Sequence, residues 1–152
     1  ESDLENRTLI HARLKTPQTG TATKLEIQLT GNQWTCNWNG GHLTAQKPAD
    51  IAEHEGILCI SLGSPRFPNG GNNQAQSWLA LFESKGVDAA KEVKGRFAVA
   101  FIDTNQNSAT LLTDRFDTHP WCYAEEKGEL SFSDRADSVP LDSRTINPQA
   151  IF

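Results

Sequence analysis

An α+β fold is predicted by three observations. Strand-like patterning dominates the front half of the chain. Helical periodicity is confined to the middle. A succession of four strands then runs from Arg96 to Ser133. Sheets with a few segregated helices make this class.

The elements follow in order. Lys24–Thr30 alternates Leu25, Ile27 and Leu29 against Lys24, Glu26 and Gln28, the signature of a half-buried strand. Gln33–Asn39 sets Trp34, Cys36 and Trp38 on one face and breaks at Asn39-Gly40-Gly41. Together they predict a hairpin across Gly31-Asn32. Ile57–Leu62 is a short apolar strand ending at Gly63, and Ser64–Gly71 (SPRFPNGG) reads as a loop. Ala75, Trp78, Leu79 and Phe82 then recur at i, i+3, i+4 and i+7, one apolar helical stripe closed by Gly86. Val87–Lys94 is a second, shorter helix.

Arg96–Asp103 is a nearly unbroken apolar run, as expected of a strand covered on both faces. Asn105–Ser108 is a turn cluster, and Ala109–Thr113 the next strand. Trp121–Glu125 and Glu129–Ser133 flank Lys127-Gly128, a hairpin signal. Near the end, Asn147-Pro148 predicts a helix start that runs on to Phe152.

Composition narrows the function. A chain of 152 residues is one domain by length. Its net charge of −5 is spread without blocks, which argues against nucleic acid or an anionic membrane as partner. No apolar run is long enough for a transmembrane helix, and the first residues lack the character of a signal peptide. The three cysteines are too few for a disulfide framework and point to a reducing, cytoplasmic home. Cys36 and Cys59 lie in apolar strands, where a thiol acts as a small core residue. The chain has no methionine, even at position 1, and is expected to be a processed or partial piece.

The remaining polar residues read blandly. His11, His42, His54 and His119 include no pair with metal-site spacing, so no metal is expected. His119 could act with Asp114 or Asp117 as an acid–base pair, or be a loop residue before Pro120. Asp114-Arg115 could bind an anion, or anchor the loop through a buried network. Trp34 and Trp38 share a face that could stack a ligand, or serve as core or interface.

The segment from Lys94 to Val139 resembles the class II glutamine amidotransferase domain at the N-terminus of asparagine synthetases. The family pattern is G-x-F-A-F-A-L-x-D, a turn, L-x-x-x-R-D-R-x-G-x-x-P-L-Y-Y, a hairpin, then F-A-S-E. Gly95, Phe97, Ala98, Ala100 and Asp103 match the first block. Asp114, Arg115, Phe116, Pro120 and Tyr123 match the second, and Phe132 opens the third. Ser77–Gly86 resembles the helix before it. Ile146–Phe152 resembles the linker into a synthetase domain. The resemblance implies an Ntn-hydrolase-like sandwich of two antiparallel sheets flanked by helices. It also implies that residues 1–152 are the first part of a longer synthetase.

In that family the domain releases ammonia from glutamine through an N-terminal cysteine whose α-amine serves as base. This chain starts at Glu1, and its nearest cysteine is Cys36 in a predicted strand. The resemblance further implies an Asn-Gly oxyanion pair in a loop after a strand. The corresponding Gly63–Phe67 puts Phe67 there, with Asn69-Gly70 two residues on as a weak substitute. The acidic residue that grips the glutamine α-amine falls at Gln74, counting back from Gly86. No arginine lies between Arg13 and Arg66 to anchor the glutamine carboxylate. Asn69, Gly70 and Gln74 are thus the binding candidates, and no catalytic residue is assigned.

The resemblance with these departures leads us to expect a degenerate glutaminase, similar to the β-lactam synthetases and lasso-peptide cyclases of the same superfamily. Its expected partner is a C-terminal synthetase domain or subunit. ATP and Mg are implied only for that domain, and this chain takes no cofactor. Two readings stand beside it: an active glutaminase whose cysteine was trimmed away, and a free-standing interaction module.

Overall fold

The computed structural model describes residues 10–14, 25–47, 49–68, 73–106, 108–114, 121–126, 129–134, 145–147 and 149–151. The alternating front segments form strands β1 (Ile10–Leu14), β2 (Glu26–Thr30), β3 (Gln33–Trp38) and β4 (Gly41–Gln46). β2 and β3 pair across Gly31-Asn32, as their turn residues predict. β5 (Asp50–His54) and β6 (Ile57–Arg66) form a second hairpin, followed by helix α1 (Gln74–Lys85). A 3-10 turn (Gly86–Asp88) and a single turn of helix α2 (Ala89–Glu92) then lead into β7 (Lys94–Asp103). β8 (Ser108–Thr113), β9 (Trp121–Glu126), β10 (Glu129–Ser133), β11 (Thr145–Asn147) and β12 (Gln149–Ile151) complete the described elements.

The strands make two sheets. One has seven strands in the order β11-β9-β10-β1-β4-β3-β2, the other five in the order β12-β8-β7-β6-β5. Every strand pairing among the described residues is antiparallel. Side chains that alternate inward fill the space between the sheets. Ile10, Ala12, Leu14, Cys36 and Leu43 come from one side, Leu58, Ile60, Ala100, Ile102 and Leu111 from the other. The opposite face of the five-stranded sheet presents Cys59, Phe97, Val99, Phe101 and Leu112 to Ala75, Trp78 and Leu79 of α1. That sheet is covered on both sides, which accounts for the unbroken apolar run in β7. The order of layers is sheet, sheet, helix. No helix among the described residues is long and apolar enough to cross a membrane.

Two expectations are corrected. β6 does not stop at Gly63 but pairs with β7 through Arg66 opposite Lys94, so the first part of Ser64–Gly71 is strand, not loop. Gly63 has φ +95° and lies opposite Phe97. A Cβ on it would sit 2.4 Å from the Arg96 carbonyl oxygen. Pro65 lies past the last β5 pair, Asp50 with Ser61, on a stretch flanked by β7 alone among the described residues. A strand tolerates proline at such an edge.

The second correction concerns the end of the chain. Thr145–Asn147 pairs with β9 and Gln149–Ile151 with β8. The predicted helix start at Asn147 therefore gives way to two short strands, one in each sheet. Unpaired backbone groups on β8 and β9 offer non-local hydrogen bonds, and these outweigh a local capping preference. Val87–Lys94 is helical in part: the turns end at Glu92, and Lys94 already belongs to β7. Strands β1, β4 and β5 add to those the pattern singles out.

Candidate functional site

The junction of β6 and α1 holds the densest polar contacts around a predicted site residue. Gln74 is the first residue of α1. Its Oε1 accepts a hydrogen bond from Ser61 Oγ at 3.1 Å. Its Nε2 donates to the Gly63 carbonyl at 3.3 Å. Both ends of the amide are thus committed to β6. The open N–H groups at the helix start draw an anionic partner. That partner is Asp50 on β5, whose Oδ2 accepts from the Ala75 N–H at 3.0 Å. Asn73, at the N-cap, makes no capping bond and instead donates Nδ2 to Gln76 Oε1 at 3.3 Å. Asp50 is the residue that sequence reading missed. It reaches α1 through its register beside Ser61, which no local motif reports.

The other candidates separate. Asn69 and Gly70 lie outside the described residues. Phe67 is half-buried, with its ring 5.2 Å from Trp78 in an edge-on contact. Trp78 in turn lies 4.9 Å from Phe97. These rings pack α1 onto the five-stranded sheet.

The thiols are equally committed. Cys36, Cys59 and Cys122 are all buried and free of disulfides. Burial pushes the Cys36 thiol up to about 12. Burial, then the negative charge of Asp50, raises Cys59 well above its usual range. A raised pKa leaves the thiol protonated at neutral pH, and the thiolate is the nucleophile. We expect the folded protein at pH 7–8 to react with a thiol reagent far more slowly than the denatured chain, which should titrate three thiols. Rapid stoichiometric labelling of the native state, with the fold intact by circular dichroism, would contradict this.

The family-motif residues have structural duties. Phe97 is core, and its N–H donates to Asp114 Oδ2 at 3.0 Å. The Asp114 N–H donates back to the Phe97 carbonyl at 3.1 Å, so the buried carboxylate pins β7 at the end of β8. Asp103 Oδ1 accepts from the Asn105 and Gln106 N–H groups at 3.0 and 3.2 Å, closing the β7–β8 turn. Tyr123 packs half-buried against the core between the sheets. Gly95, with φ +98°, lies opposite Pro65. Arg115 and Pro120, and with them Phe116, Asp117 and His119, lie outside the described residues.

Among the described residues, openings flank these elements. A cleft of about 580 Å³ is lined by Arg66, Lys91, Lys94, Phe97, Thr113 and Asp114 among others. Its rim is cationic, although Lys91 is paired with Asp88 at 3.4 Å. A smaller one, about 280 Å³, lies between the β5–β6 turn and α1. There His54, Glu55 and Glu83 bring ligand-capable atoms within 4.8 Å of one another. All three are exposed, and proximity alone marks them as a surface cluster.

Comparison with known proteins places this geometry. Residues 67–139 match the glutamine amidotransferase domain family. A stretch of 59 residues, 39% of the chain, is 37% identical to asparagine synthetase [glutamine-hydrolyzing] 2 of Bacillus subtilis. That stretch is 8% of the relative's own length. The fold matches glutamine phosphoribosylpyrophosphate amidotransferase from B. subtilis with a TM-score of 0.50 at 8% identity. The match covers 93% of this chain and 45% of that one. Sequence and architecture agree: residues 67–139 are similar to the glutamine amidotransferase domain family, a stretch of the chain is similar to an asparagine synthetase, and the two-sheet fold is like that of a solved amidotransferase.

Proposed function

We propose that this domain has given up glutamine hydrolysis and serves as the amidotransferase-like part of an ATP-dependent, amide-forming enzyme of the asparagine-synthetase kind. The observation that carries the reading is Gln74. An acidic side chain is expected at this position to hold the substrate α-amine. The neutral amide found there is spent on Ser61 and Gly63 inside the fold. Asp50, whose carboxylate reaches the head of the helix, accepts there from the Ala75 N–H. Cys36, Cys59 and Cys122 are each buried on a strand, so none of the three is placed as a nucleophile.

In this role the domain would pack against a synthetase domain or subunit that binds ATP and Mg and activates a carboxylate. The amine would then be supplied by something other than glutamine hydrolysed here. The test is direct. Purified protein with millimolar glutamine should release ammonia no faster than a buffer control. Ammonia release above that background, with the unaltered sequence and no added partner, would restore an active glutaminase.

A further inference from the structure

β2 ends the seven-stranded sheet, and its outer edge has no neighbouring strand among the described residues. All of its residues but Ile27 are exposed. Leu29, at 44%, is the exposed large apolar side chain among the described residues. Natural edge strands are commonly blunted by proline, lysine or a bulge. Glu26–Thr30 (EIQLT) contains neither proline nor lysine, and it pairs with β3 without a skipped residue.

The hairpin fixes which backbone groups face outward. Thr30 and Gln33 close a two-residue turn, so they form a pair that exchanges its hydrogen bonds. Pair types alternate along an antiparallel ladder. Glu26, Gln28 and Thr30 therefore bond to β3, while Ile27 and Leu29 direct N–H and C=O away from the sheet.

We infer that β2 pairs antiparallel with β2 of a second copy of this chain, about a two-fold axis through Gln28. In that register Ile27 of each copy lies opposite Leu29 of the other. These are the residues whose backbone groups point outward, so each such pair can exchange both hydrogen bonds. Glu26 faces Thr30, and Gln28 faces Gln28, so no carboxylate meets a carboxylate. Any register that sets Glu26 against Glu26 loses this complementarity.

The side chains agree with the backbone. Leu25, Ile27 and Leu29 share one face by the period of two, and Leu25 and Ile27 already pack against the core. Pairing lays Ile27 of the second copy against Leu29 and covers its exposed surface. Trp34, half-buried opposite Leu29 on β3, extends the same patch. The segment is self-complementary about Gln28, which favours a second copy over an unlike peptide.

Sedimentation equilibrium from micromolar to millimolar chain tests this. We expect a reversible monomer–dimer equilibrium. Ile27→Pro removes an outward N–H without breaking a β2–β3 bond, and should weaken the dimer by about tenfold or more. Leu29→Lys should do the same by placing a charge in the joint. Gln28→Cys falls at a non-hydrogen-bonded pair, where Cα atoms approach to roughly 4.5 Å, so mild oxidation should link two copies. The native cysteines are buried and do not compete. A chain that stays monomeric to millimolar concentration overturns the inference, even if the edge captures an unlike peptide. So does a dimer whose strength Ile27→Pro and Leu29→Lys both leave unchanged. So does a dimer that Glu26→Cys links and Gln28→Cys does not.

Discussion

Trp121→Ala is expected to destabilise the domain by about 3–5 kcal/mol, the range for deleting a buried aromatic side chain. For a chain of this length that is a fall in Tm of roughly 6–20 °C. Trp121 is fully buried at the start of β9 in the seven-stranded sheet. Its Nε1 donates across the core to the Val99 and Leu112 carbonyls, at 3.2 and 3.1 Å. Those carbonyls belong to β7 and β8, which Val99 and Leu112 join as a cross-strand pair. One side chain thus ties the two sheets together by a hydrogen bond as well as by packing. Its ring also meets Phe132 edge-on at 5.5 Å. Alanine would leave a cavity between the sheets and remove their shared donor. Trp121→Phe keeps most of the apolar volume and loses the donor, so it should cost about 1–3 kcal/mol. A Trp121→Phe variant that melts like wild type would show that the hydrogen bond contributes nothing. A Tm within a degree or two of wild type for Trp121→Ala would refute the bridging role.

What the sequence discloses, and what it hides, divides along the reach of the interactions. The run Arg96–Asp103 declares itself because both faces of β7 are covered, by the core between the sheets and by α1. The stripe Ala75–Trp78–Leu79 declares α1 because three of its positions are buried on one side. The Gly31-Asn32 hairpin is local, and so is its signal. The continuation of β6 past Gly63 is hidden. Gly-Ser-Pro carries every local mark of a turn, and only the facing strand β7 keeps it extended. β11 and β12 are hidden for the same reason, since their partners β9 and β8 are distant in sequence. At the site, counting back from Gly86 locates Gln74 at the head of the helix, and the apolar context of Cys36 and Cys59 foretells their burial. Asp50 could not be found this way. Its tie to Ala75 spans 25 positions and depends on how β5 registers against β6.

The crossing of β6 and β7 gives the second large effect. Gly63 and Gly95 both have positive φ, +95° and +98°, and each lies where the other strand's backbone comes close. A Cβ on Gly95 would stand 2.5 Å from the Ser64 carbonyl oxygen, and one on Gly63 2.4 Å from that of Arg96. Real contacts of that kind do not occur, and the obstacle is backbone, so no side-chain rotation relieves it. Gly95→Ala therefore adds a steric cost to the strain of a left-handed backbone, and is expected to destabilise by about 2–4 kcal/mol. Gly31→Ala is the internal control. Gly31 also has positive φ, at +62°, but nothing lies within 4 Å of its added Cβ. It should show the backbone strain alone, about 1–2 kcal/mol. The difference between the two melts isolates the close approach of β6 to β7. Because the Gly63 carbonyl also receives the Gln74 amide, forcing the strands apart should loosen the head of α1 as well. Faster amide exchange over the first turn of α1 in Gly95→Ala, and not in Gly31→Ala, is the accompanying sign. If the two variants melt alike, the run of β6 beyond Gly63 is not held by this approach, and Ser64–Arg66 is a loop after all.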